Sequence, residues 1–215
     1  MTDLKELYDA ILTGNAKKAE AVVKAALEAN VDPNELVGKY MISAMDEVGR
    51  RFECGESYVP ELLIAARAMK SALVLVSPRL AQAGVPRAGR VVIGTVQGDL
   101  HDIGKNLVAS LLEGGGFEVI DLGVDVPPEK FVQAAREKDG TIVALSALLT
   151  TTMLMMKTTI EALHNAGLRP KTKVMIGGAP ITQQFAAEIG ADGYSNNAGA
   201  AVALARRLVG NGSAT

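Results

Sequence analysis

Apolar positions recur at helical spacing through the first 80 residues. Leu4, Leu7, Tyr8, Ile11 and Leu12 share one face, Gly14-Asn15 interrupts it, and Ala19, Val22, Val23, Ala26 and Leu27 mark a second helix. Asp32-Pro33 predicts the start of a third, with Asp32 as N-cap and Pro33 at the first helical position. That helix carries Leu36, Val37, Tyr40, Met41, Ala44, Met45 and Val48. After the charged turn RRFECGES, Val59-Pro60 opens a fourth, with Leu62, Leu63, Ala66, Met69, Leu73 and Val76. Four helices on short loops predict a small antiparallel bundle over residues 1–84.

The rhythm then changes. AQAGVPRAGR (81–90) is small and bears Pro and Gly, so it reads as an interdomain linker centred on 85–89. From residue 90 to 215, strand-like runs alternate with helix-like stretches. The strands are expected at 90–96, 117–123, 141–148, 173–179 and 192–196, and the helices at 103–114, 128–138, 151–166, 181–189 and 197–209. β-Branched strands without internal polar alternation predict a parallel sheet covered on both faces. Five of them fit a flavodoxin-like, Rossmann-like α/β domain of order 2-1-3-4-5.

Composition narrows the function classes. In 215 residues the net charge is -2, which gives no electrostatic case for nucleic acid. Trp is absent and aromatics make up 4%, which argues against a base-stacking surface. One cysteine, Cys54, cannot form an internal disulfide and suits a reducing cytoplasm. The polar start MTDLKELYDA lacks the apolar centre of a signal peptide, and no apolar run is long enough to predict a membrane span.

In the 2-1-3-4-5 order a crevice opens at the carboxyl ends of strands one and three, where ligands bind. Three polar or glycine-rich segments converge there: Gln97 with GDLHDIGKN, Ser146 with ALLTTT, and Gly177-Gly178-Ala179-Pro180. His101, one of two histidines, lies in the first, flanked by Asp99 and Asp102. A carboxylate on one ring nitrogen makes the other a better metal ligand. One histidine cannot build a zinc site, so a metal here would bring most of its own donors, as a macrocycle does. On the loop alone, His101 reads equally well as a cap for the following helix.

GDLHDIGKN contains Asp-x-His-x-x-Gly, formed by Asp99, His101 and Gly104, and resembles the signature of cobalamin-binding domains in methionine synthase, B12 mutases and corrinoid methyl-carrier proteins. Ser146-x-Leu148 with Thr150 and Thr152 resembles the family's second motif, and Gly177-Gly178 its third. VGRRFECGESYVPELLIAARAM resembles the helical cap of methyl-carrying members, except that Tyr58 stands where many relatives have Phe. The resemblance, to the corrinoid proteins of methanol, methylamine or methoxyl methyltransferase systems, spans nearly the whole chain.

The resemblance implies a cobalamin or related corrinoid bound base-off/His-on, with His101 on cobalt, Asp99 on the second ring nitrogen and Thr152 extending the relay. It implies cofactor contacts at Asp102, Ile103 and Gly104, and at Ser146, Leu148 and Thr150 around the nucleotide tail. Gly177 and Gly178 would leave room for that tail, so a bulky residue at 178 is expected to abolish uptake while sparing the fold. Val59 and Leu62, with Leu63 and Ala66, are expected over the upper corrin face. Asp99→Asn is expected to act like His101→Ala, but more mildly. The implied function is carriage of methyl on cobalt. A substrate-specific methyltransferase would donate it, a second methyltransferase would deliver it to a folate or a thiol, and a reductive activation protein would serve the cofactor. Such a subunit is not catalytic alone.

Competing readings are weaker. A receiver domain needs an Asp where Ser146-Ala147 stands, and a flavodoxin needs a Ser/Thr-rich phosphate loop after strand one. A mutase subunit would not need the helical cap. A B12-dependent sensor or regulatory module would use the same two modules and is the alternative in another class. Met153, Met155 and Met156 read as helix core, His164 as a solvated residue near a helix end, and Gly114-Gly115-Gly116 as a helix stop.

Overall fold

The structure, a computed structural model, describes residues 3–82, 88–137 and 142–210. The chain forms two compact units, Met1–Arg87 with Glu113–Gly116, and Ala88–Leu112 with Phe117–Thr215. Most of the expected linker at 85–89 lies outside the described residues.

The first unit is helical: α1 (Lys5–Leu12), α2 (Ala16–Glu28), the single turn α3 (Pro33–Glu35), α4 (Ser43–Glu53) and α5 (Val59–Gln82). Asp32 caps α3, accepting from the Asn34 N–H at 2.9 Å. The third helix is not uniformly α: Leu36–Ile42 is π-helical. Its buried residues Leu36 and Met41 follow the wider π spacing, while Val37 and Tyr40 are only half-buried. On α5 the buried stripe runs through Leu62, Ala65, Met69, Ala72 and Val76 rather than Leu63, Ala66 and Leu73. The alanines let α5 pack closely on α2, whose seam is Ala19, Val22, Val23 and Ala26.

The second unit holds β1 (Arg90–Thr95), β2 (Glu118–Asp121), β3 (Ile142–Ser146), β4 (Lys173–Gly177) and β5 (Gly193–Tyr194). All pairings are parallel and the order is β2-β1-β3-β4-β5. α6 (Ile103–Gly114), α7 (Pro128–Glu137), α8 (Leu154–Asn165), α9 (Gln183–Glu188) and α10 (Ala198–Gly210) alternate with the strands. Fold class and strand order are those expected from the alternation.

Side chains explain why the strands read as unbroken apolar runs. Val92, Val143, Leu145, Val174 and Ile176 pack with Phe131 of α7, Met156 and Leu163 of α8, and Ile189. The alternate positions Val91, Ile93, Ile142, Ala144 and Met175 are buried too, so both faces are covered. Gly94 is required by this packing: a Cβ there would lie 2.8 Å from the Phe131 ring. Met156 is fully buried, and Met153 and Met155 pack against the same core. Among the described residues no helix is long and apolar enough to cross a membrane.

The ladder sets the level of the site. Thr95 pairs with Ser146 and Ser146 with Gly177, so the last residues of β1, β3 and β4 form one row at the sheet's carboxyl edge.

Candidate functional site

Immediately past that row the backbone turns its hydrogen bonds toward one carboxylate. Asp99, fully buried, accepts on Oδ1 from the His101 N–H at 3.0 Å and from His101 Nδ1 at 2.8 Å. On Oδ2 it accepts from Leu148 N–H at 2.8 Å, Leu149 N–H at 3.2 Å and the Thr152 hydroxyl at 2.8 Å. This is why β3, expected through residue 148, stops at Ser146: the next free N–H groups serve Asp99 instead of a ladder.

Burial opposes charge on Asp99, but these backbone, hydroxyl and imidazole donors outweigh it and hold the carboxyl well below the usual carboxylate range. An ionised acceptor at Nδ1 fixes that nitrogen as the donor. Nε2 then carries the lone pair, and the ring is about half exposed (52%). The Thr152 hydroxyl also lies 2.9 Å from the Leu149 carbonyl, so its single proton is shared between two acceptors.

The remaining expected residues fall at the same edge with differing roles. Ser146 and Gly177 are half-buried, while Leu148 and Thr150 are exposed. Asp102 does not reach the ring: its carboxylate accepts from Asn106 Nδ2 at 3.0 Å in the first turn of α6. Gly104 is exposed, and a Cβ there would meet nothing within 4 Å. Gly178 is needed by the protein itself. Its φ is +139°, and a Cβ would lie 1.9 Å from the Ala147 carbonyl oxygen. A bulky residue at 178 therefore cannot spare the fold, contrary to the expectation above. Val59 and Leu62 lie on α5 of the helical unit, Val59 half-buried and Leu62 fully buried.

An apolar rim lies along the same carboxyl edge as His101. Among the described residues of the α/β unit, the exposed large hydrophobic side chains are Leu100, Ile103, Val124, Leu148, Leu149 and Leu154, all from segments at the carboxyl edge. Leu100 and Ile103 are more than 70% exposed, a placement of large apolar side chains that favours contact with a ligand or partner. A macrocycle that presents some apolar surface and one open axial position fits a free Nε2 beside this rim. Among the described residues no three His, Cys, Asp or Glu side chains converge on an ion position. His164 is elsewhere: it lines an open cleft of about 440 Å³ with Glu161 and Arg169, near the carboxyl end of α8.

Comparison with known families agrees with this geometry. A model described as B12 binding domain matches residues 89–203, and a second of the same description matches residues 3–76. The chain belongs to the B12-binding family. The dimethylamine corrinoid protein of Methanosarcina barkeri is 43% identical over 207 residues, covering 96% of this chain and 97% of its own length. A cobalamin-binding protein from Desulfitobacterium hafniense DCB-2 superposes with a TM-score of 0.80 at 34% identity, covering 97% of this chain and 99% of that one. The methanol:cobalamin methyltransferase complex MtaBC from Methanosarcina barkeri superposes with a TM-score of 0.85 at 30% identity, covering 97% and 80%.

Several supporting residues of this candidate site were not legible as such in the sequence. Thr95 is buried and its hydroxyl donates to the His101 carbonyl at 2.8 Å. Lys105, Asp121 and Asp125 brace the same loop. Leu100 and Leu154 carry the most exposed part of the rim together with Ile103. Only one signal pointed to any of them, the unusual placement of Leu100 and Ile103 within a polar loop.

Proposed function

We propose that this protein carries a methyl group on a bound corrinoid, accepting it from a substrate-specific methyltransferase and passing it to a second methyltransferase that delivers it to a folate or a thiol. The observation that carries the reading is the His101–Asp99–Thr152 relay with Nε2 free beside an apolar rim, in a chain 43% identical to a dimethylamine corrinoid protein over 96% of its length.

When bound, the corrinoid supplies a cobalt centre that takes up and releases methyl. The protein's own residues do the rest. His101 offers Nε2 as the lower axial ligand, so the cofactor is held base-off/His-on. Asp99 keeps the proton on Nδ1 and fixes the ring plane, and Thr152 holds Asp99. Ile103, Gly104 and Leu148 would hold the corrin, and Asp102, by accepting from Asn106, would steady the first turn of α6 that carries two of them. Ser146, Thr150 and Gly177, at the ends of β3 and β4, accommodate the nucleotide tail. The protein is not catalytic alone, and it needs a reductive activation protein when its cobalt is oxidised. The single, exposed Cys54 supports a reducing, cytoplasmic setting.

The test is anaerobic loading with cobalamin, reduction to the Co(II) state, and electron paramagnetic resonance. Splitting by one axial nitrogen that disappears in His101→Ala is expected. Methylation of the reduced protein should then need a cognate methyltransferase and its methyl donor. An unchanged spectrum in His101→Ala refutes the ligand assignment. A protein that binds corrinoid but never accepts methyl from any such transferase refutes the carrier role.

A further inference from the structure

The loop that carries His101 is held from outside as well as by its own hydrogen bonds. Gly98 has φ +82°, and its N–H donates 2.7 Å to Oδ1 of Asp125, in the connection between β2 and α7. The Asp125 N–H in turn donates to the Asp99 carbonyl at 3.0 Å. Asp125 makes both bonds from φ +51°, a conformation that non-glycine residues seldom adopt. Asp and Asn are among the non-glycine residues that tolerate this backbone best, and Asp125 uses its side chain there as the acceptor for Gly98.

The far end of the same loop is tied to Asp121, the last residue of β2, where that connection begins. Lys105 lies on the first turn of α6 with its side chain only 2% exposed. Its ammonium donates 2.5 Å to Oδ2 of Asp121 and 2.7 Å to Oδ1 of Asn106. Asn106 then donates to Asp102, one residue past His101. The other oxygen of Asp121 accepts from the Gly123 N–H at 2.8 Å. The connection is itself anchored to the end of β1: Leu122 N–H to the Ile93 carbonyl, Thr95 N–H to the Gly123 carbonyl, and Val126 N–H to the Thr95 carbonyl.

Two carboxylates from one short segment therefore grip the two ends of the ligand loop. We propose that the end of β2 and the β2–α7 connection together form a positioning clamp for His101, with Asp125 holding the start of its loop and Asp121, through Lys105, holding the end. The clamp sets where the imidazole stands without touching the cofactor. This rests on the reading of His101 as the axial ligand. A ligand whose loop can drift by even an ångström loses its hold on a fixed metal position.

Three variants separate the clamp from general folding effects. Asp125→Gly removes the acceptor but keeps the freedom for positive φ. Lys105→Met keeps the buried stem and removes the ammonium. Asp125→Asn keeps an acceptor oxygen. In the protein without cofactor, amide exchange at Gly98 should quicken by about 10- to 100-fold in Asp125→Gly, as expected for a lost hydrogen bond to a charged acceptor. Asp125→Asn should restore most of the protection. With cobalamin in the Co(II) state, Asp125→Gly and Lys105→Met should each reduce the nitrogen-ligated fraction by about tenfold, the usual scale for residues that orient a metal ligand. Full nitrogen splitting in both, with wild-type exchange at Gly98 in Asp125→Gly, overturns the clamp. Equal damage from Asp125→Asn and Asp125→Gly also overturns it. Should the wild-type protein itself lack nitrogen splitting, ligation by His101 fails, and amide exchange alone then decides for or against the clamp.

Discussion

The buried hydroxyl of Thr95 donates a 2.8 Å hydrogen bond to the main-chain carbonyl of His101, joining the last residue of β1 to the candidate axial ligand. Thr95→Val keeps the shape and removes the donor. A loss of about 1 kcal/mol in stability and roughly fivefold weaker corrinoid retention are expected. Thr95→Ser should remain close to wild type in both thermal unfolding and equilibrium dialysis. Wild-type behaviour in Thr95→Val, with the loss falling on Thr95→Ser instead, would show that the methyl group matters and the hydrogen bond does not.

Asp99 predicts a pH dependence. Its donors favour the ionised carboxylate in the folded protein, so its contribution to stability is complete above the ordinary value of 3.8 and is lost as pH falls through the folded value. Asp99→Asn should lose that contribution at neutral pH and show a shallower decline in acid. Both Asp99 oxygens accept, so the amide group of Asn must face a donor. That costs about 1–3 kcal/mol in the cofactor-free protein, which makes this variant more damaging to the fold than the sequence suggested. Thermal midpoints measured from neutral to acid pH check this, and superimposable curves for the two proteins would refute it.

The glycines separate fold from ligand. Gly178→Ala should lower stability by about 3 kcal/mol or more through positive-φ strain and contact with the Ala147 carbonyl, roughly 6–12 °C in thermal midpoint. Gly104→Ala meets open space and should keep the midpoint or raise it slightly. Its corrinoid uptake should nonetheless fall. Differential scanning fluorimetry with and without cobalamin distinguishes the two outcomes, and normal uptake by Gly104→Ala would remove that residue from the site.

The apolar rim makes a separate prediction. Ile103 is 75% exposed, so Ile103→Ser should leave the unfolding midpoint unchanged within about 1 °C. Burying such a side chain under a ligand contributes about 1.5–3 kcal/mol, so cobalamin affinity should drop by roughly 10- to 100-fold. Isothermal titration that finds wild-type affinity would detach the rim from the cofactor.

What the sequence made legible was whatever depends on short-range pattern. The alternation of elements specified the parallel sheet and its order, and Asp32-Pro33 marked a helix start. The flanking of His101 by carboxylates marked the site. The Asp99–Thr152 pairing came from the family resemblance and not from spacing. Long-range geometry was not legible. Asp121 and Asp125 reach the loop from another crossover, and nothing in DLGVDV distinguishes a brace from a turn. The π-helical stretch at Leu36–Ile42 was equally hidden, because its buried pair differs from an α-helical pair by one residue. Asp102 and Asp99 are indistinguishable on paper. Only the turn geometry decides that one carboxylate faces the ring and the other accepts from the Asn106 side chain of α6.

Thr95, Ser146 and Gly177 meet in one row because the backbone ladders of β1, β3 and β4 run out together. Their alignment is counted from the sheet's interior, one residue at a time, and no side chain enforces it. Substitutions in the surrounding helices can accumulate without moving the row. Deleting a single residue from β3 would bring Ala147 to the place of Ser146 and pull the Asp99-binding amides one step down the sheet. Length changes in this protein should therefore survive in the loops at the sheet's amino edge and be lethal to cofactor binding within the three central strands.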